Sequence, residues 1–360
     1  MDTNKLGSWA KKKLTDLAME ADSRLEKYWN EEIESGFGFN DTQKELVRKI
    51  LLHAKEHNLR SAKRVRAGFV CFGYRLGGEI IDDRVWKAAE GVELVHTALL
   101  MHDDFMDRDL VRRGGPTTQV FFGKDDDHYG DTMAVNCGDA VLCLGFERLL
   151  RSGADGEIVT KMMGQMLRSI TNTAFGQAYD VSLPRLGELT EEKVVNLHRA
   201  KTAIYTFENP LLIGGTMAGL PEEVMDSLRK YSVAGGVAFQ LQDDILGVFG
   251  KEEKTGKSAN SDLLQGKVTL LVVKTLEMGT EEQRQSLMRV WGKQKADKQA
   301  ISEAKEAILD SGAYQYSTEA AKNYAEKATE TAAGLRGRGL NSEAIDYLEG
   351  IARYMVEREM

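Results

Sequence analysis

A chain of 360 residues, 42% hydrophobic and 29% charged with only 4 prolines, has the balance of a soluble globular protein and too few breakers for a loop-rich β architecture. A formal net charge of -8 excludes general attraction to nucleic acid or an anionic membrane, so any anion must be met by a local cluster of bases. Cys71, Cys137 and Cys143 form no CxxC pair, which argues against a disulfide framework or a thiolate zinc site and for a reducing, cytoplasmic setting.

From the N-terminus, MDTNKLGSWAKKKLTDLAMEADSRLEKYW lacks an apolar signal core, and no segment reaches the roughly 18 uncharged apolar residues that stable membrane insertion needs. Thr42 to Asn58 carries apolar residues at helical spacing, and RVRAGFVCFGYRLGG continues with helix-length apolar content before a Gly-Gly stop. The same spacing predicts helices over Asp83 to Asp107, Gly138 to Ser152, Ile158 to Tyr179, Thr190 to Gly214 and Glu222 to Val248. Ser342 is the expected N-cap of a last helix striped by Ala344, Ile345, Leu348, Ile351, Ala352, Met355 and Val356. There is no sustained period-two alternation, Pro-rich linker or internal repeat, although KEEKTGKSANSDLLQGK and WGKQKADKQAISEAK are polar. The expectation is a single all-α domain over residues 1–360.

The segment LLMHDDFMDRDLVRRGG, Leu99 to Gly115, raises the chemistry. On a helix Asp103 and Asp107 share one face about 6 Å apart along the axis, with Asp104 about 100° round from Asp103. Carboxylates at that spacing repel, so a compensating group outside the helix is expected. Magnesium is one, because it takes hard oxygen ligands and joins one or two carboxylates to substrate phosphates. The other is a solvated face paired with Arg108, Arg112 or Arg113. A second acidic pair shifts the balance, since FQLQDDILGVFG ends another long apolar run with Asp243 and Asp244. Buried carboxylates without compensation cost several kcal/mol or go neutral, whereas metal and an anionic ligand hold them charged. Two such helix ends facing an apolar cavity suit an amphipathic diphosphate with a hydrocarbon tail.

In chain order SAKRVRAGF, ELVHTALLMHDDFMDRDLVRRGGPT, NCGDAVL, GQAYD, RAKTAIYTF, FQLQDDILGVFG and KTGKSANSDLLQGK resemble the motifs of trans-isoprenyl diphosphate synthases, the family of farnesyl and geranylgeranyl diphosphate synthases. The resemblance covers most of the chain. It implies a single helical bundle of isoprenoid-synthase type around a central elongated cavity, a homodimer, and Mg2+ as cofactor with three ions per site. It implies that Asp103, Asp104 and Asp107 form the first acidic motif, Asp103 and Asp107 ligating metal directly. Asp243, with Asp244, supplies the second cluster. Arg112 and Lys201 then grip the allylic diphosphate, with Lys257 and Lys267 closing over it. Lys63, Arg66, His96 and Arg113 match positions that hold the diphosphate of isopentenyl diphosphate, although His96 also reads as a satisfied core histidine. Thr202 and Gln240 match positions near the reacting carbons, where a hydroxyl and an amide dipole stabilise positive charge.

The implied chemistry is ionisation of an allylic diphosphate (dimethylallyl, geranyl or farnesyl), attack by the isopentenyl double bond, and proton loss to the released pyrophosphate. Ala98 and Leu99, one turn before the first aspartates, stand where bulky aromatics halt growth at fifteen carbons in the family, so the expected product is geranylgeranyl diphosphate. The alternative for both is simple core filling. One departure is Gly247, where many relatives carry a third aspartate of the second motif; Asp262 is the carboxylate that would support the metal there through water. Rival readings are a farnesyl or longer-chain synthase, a non-catalytic regulatory subunit favoured only by Gly247, a class I terpene cyclase, whose Asn-Ser-Glu type motif is missing, and a helical scaffold.

Overall fold

A computed structural model describes residues 3–35, 39–78, 80–187, 189–250, 260–293 and 295–357. It is all-α: among the described residues, the only sheet pairs Val111–Arg112 with Gly115–Pro116 in an antiparallel hairpin. The helices up to the second acidic motif are α1 (Thr3–Glu34), α2 (Asp41–Leu59), α3 (Val65–Arg75), α4 (Asp83–Asp107), α5 (Thr118–Gly123), α6 (Asp127–Leu150), α7 (Gly156–Ser182), α8 (Glu191–His198), α9 (Asn209–Met217) and α10 (Glu222–Phe249). After them come α11 (Ser261–Gln265), α12 (Leu270–Met278), α13 (Glu281–Met288), α14 (Lys298–Asp310), α15 (Ala313–Ala333) and α16 (Ser342–Val356). The chain divides into two compact units that interleave in sequence. One comprises Lys12–Met163 and Ile213–Gly219; the other comprises Met1–Lys11, Gly164–Leu212 and Leu220–Met360.

In the first unit, α4 is buried along most of its length because its apolar residues are not confined to one stripe. Leu94, Ala98 and Met101 pack with Trp29 of α1 and Leu51 of α2 in one cluster, each large side chain contributing about 1.5–3 kcal/mol. A polar ladder fixes these helices, with Trp29 Nε1 donating to Asn58, Asn58 Nδ2 to Thr97, and Thr97 Oγ1 to the Glu93 carbonyl. The loop entering α3 is held by Arg64, whose left-handed backbone (φ 50°) lets its guanidinium meet Asp22, Glu93 and the Asn58 carbonyl. Lys63 and Arg66 flank that anchor.

In the second unit, α10 packs on α15, α16 and the residues before α9, and Tyr231 Oη donates to the Leu348 carbonyl at 2.8 Å. The helix predicted over Thr190 to Gly214 divides into α8, a π-helical turn over Arg199–Glu208, and α9. Gly236 is required beside that turn, because a Cβ there would collide with Ala203, and Gly176 lets α7 approach the Lys201 backbone. Such wide turns often mark functional sites, and this one carries Lys201 and Thr202. Two expectations shift at helix starts. Helix α6 begins at Asp127, capped by Asp126, because its polar first turns hide the helical period. The last helix is capped by Asn341, whose Oδ1 accepts from Ala344 N; Ser342 is already helical.

Candidate active site

Helix α4 stops directly after Asp107, where Arg108 turns left-handed (φ 57°) and reaches Asp131. The hairpin then folds back, and Gln119 Nε2 donates to the carbonyls of Asp104 and Asp109. This return brings Arg112 onto the acidic turn. Its Nε donates to Asp104 Oδ1 at 2.6 Å, its Nη2 contacts the same oxygen, and Asp109 and Asp103 lie 3.2 and 3.7 Å from Nη2. Burial works against the Arg112 charge, but Asp104 first, then Asp103 and Asp109, outweigh it and hold its pKa above the ordinary arginine value. Asp104 is 0% exposed, while Asp103 and Asp107 are half-buried. The buried Asp104 carboxylate thus serves arginine, while Asp103 and Asp107, a turn apart, are only partly exposed, Asp107 with its Oδ2 shielded from solvent.

Arg60 braces the hairpin from α2, donating to the Arg112 and Pro116 carbonyls at 2.9 Å while Glu56 holds its other edge. Behind Asp104 lies His57, 1% exposed, its Nε2 3.6 Å from Asp104 Oδ2.

Arg66, His96 and Arg113 form a second grouping in this unit. Arg113, at φ 49°, has its pKa pulled down to about 10 by burial and then by Arg64, Arg112 and Arg66, with Glu93 as the one opposing carboxylate. Burial, then Arg66 and Arg113, push His96 well below the usual imidazole range, so it is neutral at neutral pH. Lys63 is exposed at the head of the same loop. Arg113 thus sits among cations that work against its own charge, a place that suits an anionic ligand. Ala98 is 0% exposed and sits in the α1–α2–α4 core, whereas Leu99 is half-buried.

At the end of α10, Thr202 Oγ1 donates to Gln240 Oε1 and Gln240 Nε2 donates to Asp244 Oδ1, both at 2.8 Å. The other Asp244 oxygen lies 3.1 Å from Nε2 of His198, the last residue of α8. Asp244 is thus turned inward, while Asp243 is half-buried. Lys201 pairs with Asp180 at 2.7 Å. Gly247, one turn beyond Asp243, has no side chain because the carboxylate of Asp262 fills that space: a Cβ there would collide with Asp262 Oδ2. Lys267 lies 3.5 Å from the same carboxylate. Lys257 lies outside the described residues.

The positions expected from the sequence thus gather in two sets: Asp103, Asp104, Asp107, Arg112, Arg113, Arg66 and His96 in one unit, Lys201, Thr202, Gln240, Asp243 and Lys267 in the other. The structure adds Arg60, His57 and His198. It also adds Gln177 of the GQAYD segment, 8% exposed with both amide atoms unpartnered among the described residues. For His57, His198 and Gln177 a polar residue inside a helix was the available signal, whereas Arg60 lies just past the end of α2 and carried none. Among the described residues, no three His, Cys, Asp or Glu side chains converge as a ready-made metal site.

Residues 48–308 match the family model described as polyprenyl synthetase. The geranylgeranyl diphosphate synthase of Saccharolobus solfataricus is 34% identical over 79% of this chain and 82% of its own. The geranylfarnesyl diphosphate synthase of Aeropyrum pernix is 32% identical over 79% of this chain and 86% of its own. Among solved structures, a geranylgeranyl pyrophosphate synthase from Corynebacterium glutamicum, complexed with isoprenyl diphosphate and magnesium, superposes with a TM-score of 0.84 at 25% identity, covering 100% of both chains. With a family match across residues 48–308 and an all-α fold shared with such a synthase, this chain belongs to the polyprenyl synthetase family.

Proposed function

We propose that this protein is a Mg2+-dependent trans-prenyltransferase that joins isopentenyl diphosphate to an allylic diphosphate, with geranylgeranyl diphosphate as its main product. One observation carries the reading: the first unit holds two separate anion-handling sets, an arginine-compensated acidic turn and a cation-rich basin around Arg113. One diphosphate explains one set; two substrates explain both. The geranylgeranyl product follows the relative from Saccharolobus solfataricus and the small Ala98, while the Aeropyrum pernix relative keeps a longer product in view.

The acidic residues fit magnesium by donor chemistry. Asp103 and Asp107 offer hard oxygens one turn apart, and Asp243 offers another in the second unit; a cation that keeps waters and bridges to phosphate needs no ready-made protein cage. When bound, the three magnesium ions neutralise charge building on the departing pyrophosphate. The protein residues do the rest. Asp104 aligns Arg112 toward the allylic diphosphate. Lys201, with Lys257 and Lys267, adds cationic contacts that strengthen as the carbon–oxygen bond breaks. Lys63, Arg66, His96 and Arg113 hold isopentenyl diphosphate, the neutral His96 donating one N–H. Thr202 and Gln240 direct oxygen dipoles at the allylic carbon, and the departed pyrophosphate takes the proton. The Asp262 carboxylate beside Gly247 supports reading it in place of the carboxylate missing there, which weighs against a non-catalytic regulatory subunit.

The chain works as one catalytic domain and as a homodimer in the cytoplasm. An outward stripe on α7, Leu167, Ala174, Phe175 and Val181, supports pairing of two copies. No helix of the described residues is long and apolar enough to cross a membrane.

The test is pyrophosphate release by the purified protein. Release that requires magnesium and both diphosphates together supports the reading; release from an allylic diphosphate alone points to a cyclase, and none from any pair points to a regulatory subunit. Leu99→Phe should then shorten the product. Ala98→Phe tests the same ruler less cleanly, because overpacking that core costs about 1–3 kcal/mol.

A further inference from the structure

We propose that His57 and His198 are matched positioning residues, each holding the second aspartate of an acidic pair toward the side chain that handles substrate. This rests on the function proposed above, which assigns Arg112 to the allylic diphosphate and Gln240 with Thr202 to the reacting carbons. In one unit, Asp104 gives Oδ1 to Arg112 and turns Oδ2 to His57 Nε2, 3.6 Å away. In the other, Asp244 gives Oδ1 to Gln240 and turns Oδ2 to His198 Nε2, 3.1 Å away. The arrangement is the same although the histidines come from different helices, α2 and α8, and both are buried at 1% and 4% exposure.

Core filling explains one buried histidine. It does not explain why in both places a buried Nε2 and a buried carboxylate Oδ2, each without a hydrogen bond among the described residues, stand opposite one another at 3.6 and 3.1 Å. An imidazole suits this place because a ring nitrogen can stand opposite a carboxylate oxygen without reaching past it. A lysine or arginine there would neutralise the acidic turn; an apolar residue would leave a buried lone pair unanswered and the carboxylate free to rotate. With the ring packed beside Oδ2, the carboxylate is kept from swinging outward beside Asp103 or Asp243. Its Oδ1 stays on Arg112 in one case, and on the Gln240–Thr202 chain in the other.

The two histidines act on different substrate groups, so their loss should divide the kinetic constants differently. In His57→Leu, magnesium-dependent binding of inorganic pyrophosphate, read by calorimetry, should weaken about tenfold and the KM for the allylic substrate should rise similarly, with kcat per folded molecule changing less than about threefold. In His198→Leu, kcat should fall about tenfold while pyrophosphate affinity and both KM values stay within about threefold. His57→Gln and His198→Gln, which return an amide N–H near the Nε2 position, should recover most of each loss. Near-UV circular dichroism gives the folded fraction of every variant. Leucine variants that lose only thermal stability, or that shift kcat and KM in parallel, overturn the proposal; so does failure of both glutamine variants to restore function while folded. If the wild type binds pyrophosphate with magnesium yet couples no pair of diphosphates, the prenyltransferase reading fails while the calorimetric comparison still decides His57. If it binds no pyrophosphate, both fall.

Discussion

At the end of α4 the second aspartate is answered by charge, and at the end of α10 by neutral groups. Asp104 faces a buried arginine that also touches Asp103 and Asp109; Asp244 faces an amide linked to a hydroxyl. The first arrangement suits a group that grips a diphosphate and must keep its own charge in a buried place. The second suits dipoles aimed at a carbon that becomes positive, where a full cation would repel. The same two-residue motif thus has two surroundings, and what differs is the residue brought to its inner carboxylate.

The sharpest way to break this comparison is to remove an outward carboxylate. Asp103→Ala should cut steady-state turnover about 10³-fold with little loss of thermal stability, since the group is half-buried and serves an electrostatic role. Removing the inward charges should separate the two ends by stability. Asp104→Asn leaves Arg112 buried without its main partner and should cost about 3–5 kcal/mol in urea unfolding. Asp244→Asn keeps an acceptor for Gln240 and strands no arginine, so it should cost about 1 kcal/mol. Equal losses would refute the contrast between charged and neutral surroundings.

Arg113→Gln sharpens the split between substrates. The KM for isopentenyl diphosphate should rise about ten- to a hundredfold and that for the allylic partner should hold, because a charge-assisted contact is worth about 1.5–3 kcal/mol. Gly247→Ala comes next. In an unencumbered helix this change would stabilise by about 1 kcal/mol. Here it should displace Asp262 and raise the magnesium concentration for half-maximal rate several-fold.

The smallest effect is the acid sensitivity that His53 and His96 bring to the first unit. Burial, then His57 and Arg60, lower the His53 pKa from 6.5 to about 4, and burial also lowers that of His96. Between pH 6.5 and 4 the unfolded chain binds protons that these native side chains do not, so stability present above pH 6.5 is lost as pH falls through that window. Unfolding free energies at pH 7 and pH 5 should differ less in His53→Gln than in the wild type.

Much of this was legible in the sequence. Asp83 to Asp107 was bounded correctly at both ends, because acidic first-turn residues and a dense apolar run mark a buried helix plainly. That Asp103 and Asp107 share one helix face followed from helical spacing, while their part in holding metal was implied only by the family resemblance. What spacing left hidden was depth. It did not distinguish Asp104, fully buried, from its half-buried neighbours, nor show that Arg112 is committed to carboxylates before any substrate arrives, because both depend on a hairpin that folds back over the turn. The π-helical turn under Lys201 and Thr202 was read as ordinary helix, since the two share nearly the same apolar spacing. Gly247 read as a missing carboxylate with Asp262 as its support, and what the sequence left hidden was how closely the Asp262 carboxylate fills the space beside Gly247.

The most direct measurement is the product formed from isopentenyl diphosphate when dimethylallyl, geranyl and farnesyl diphosphates are offered separately with magnesium, read by mass spectrometry. The account predicts magnesium-dependent elongation of all three primers ending mainly at the twenty-carbon diphosphate. No elongation of any primer by a folded, magnesium-loaded protein would contradict it.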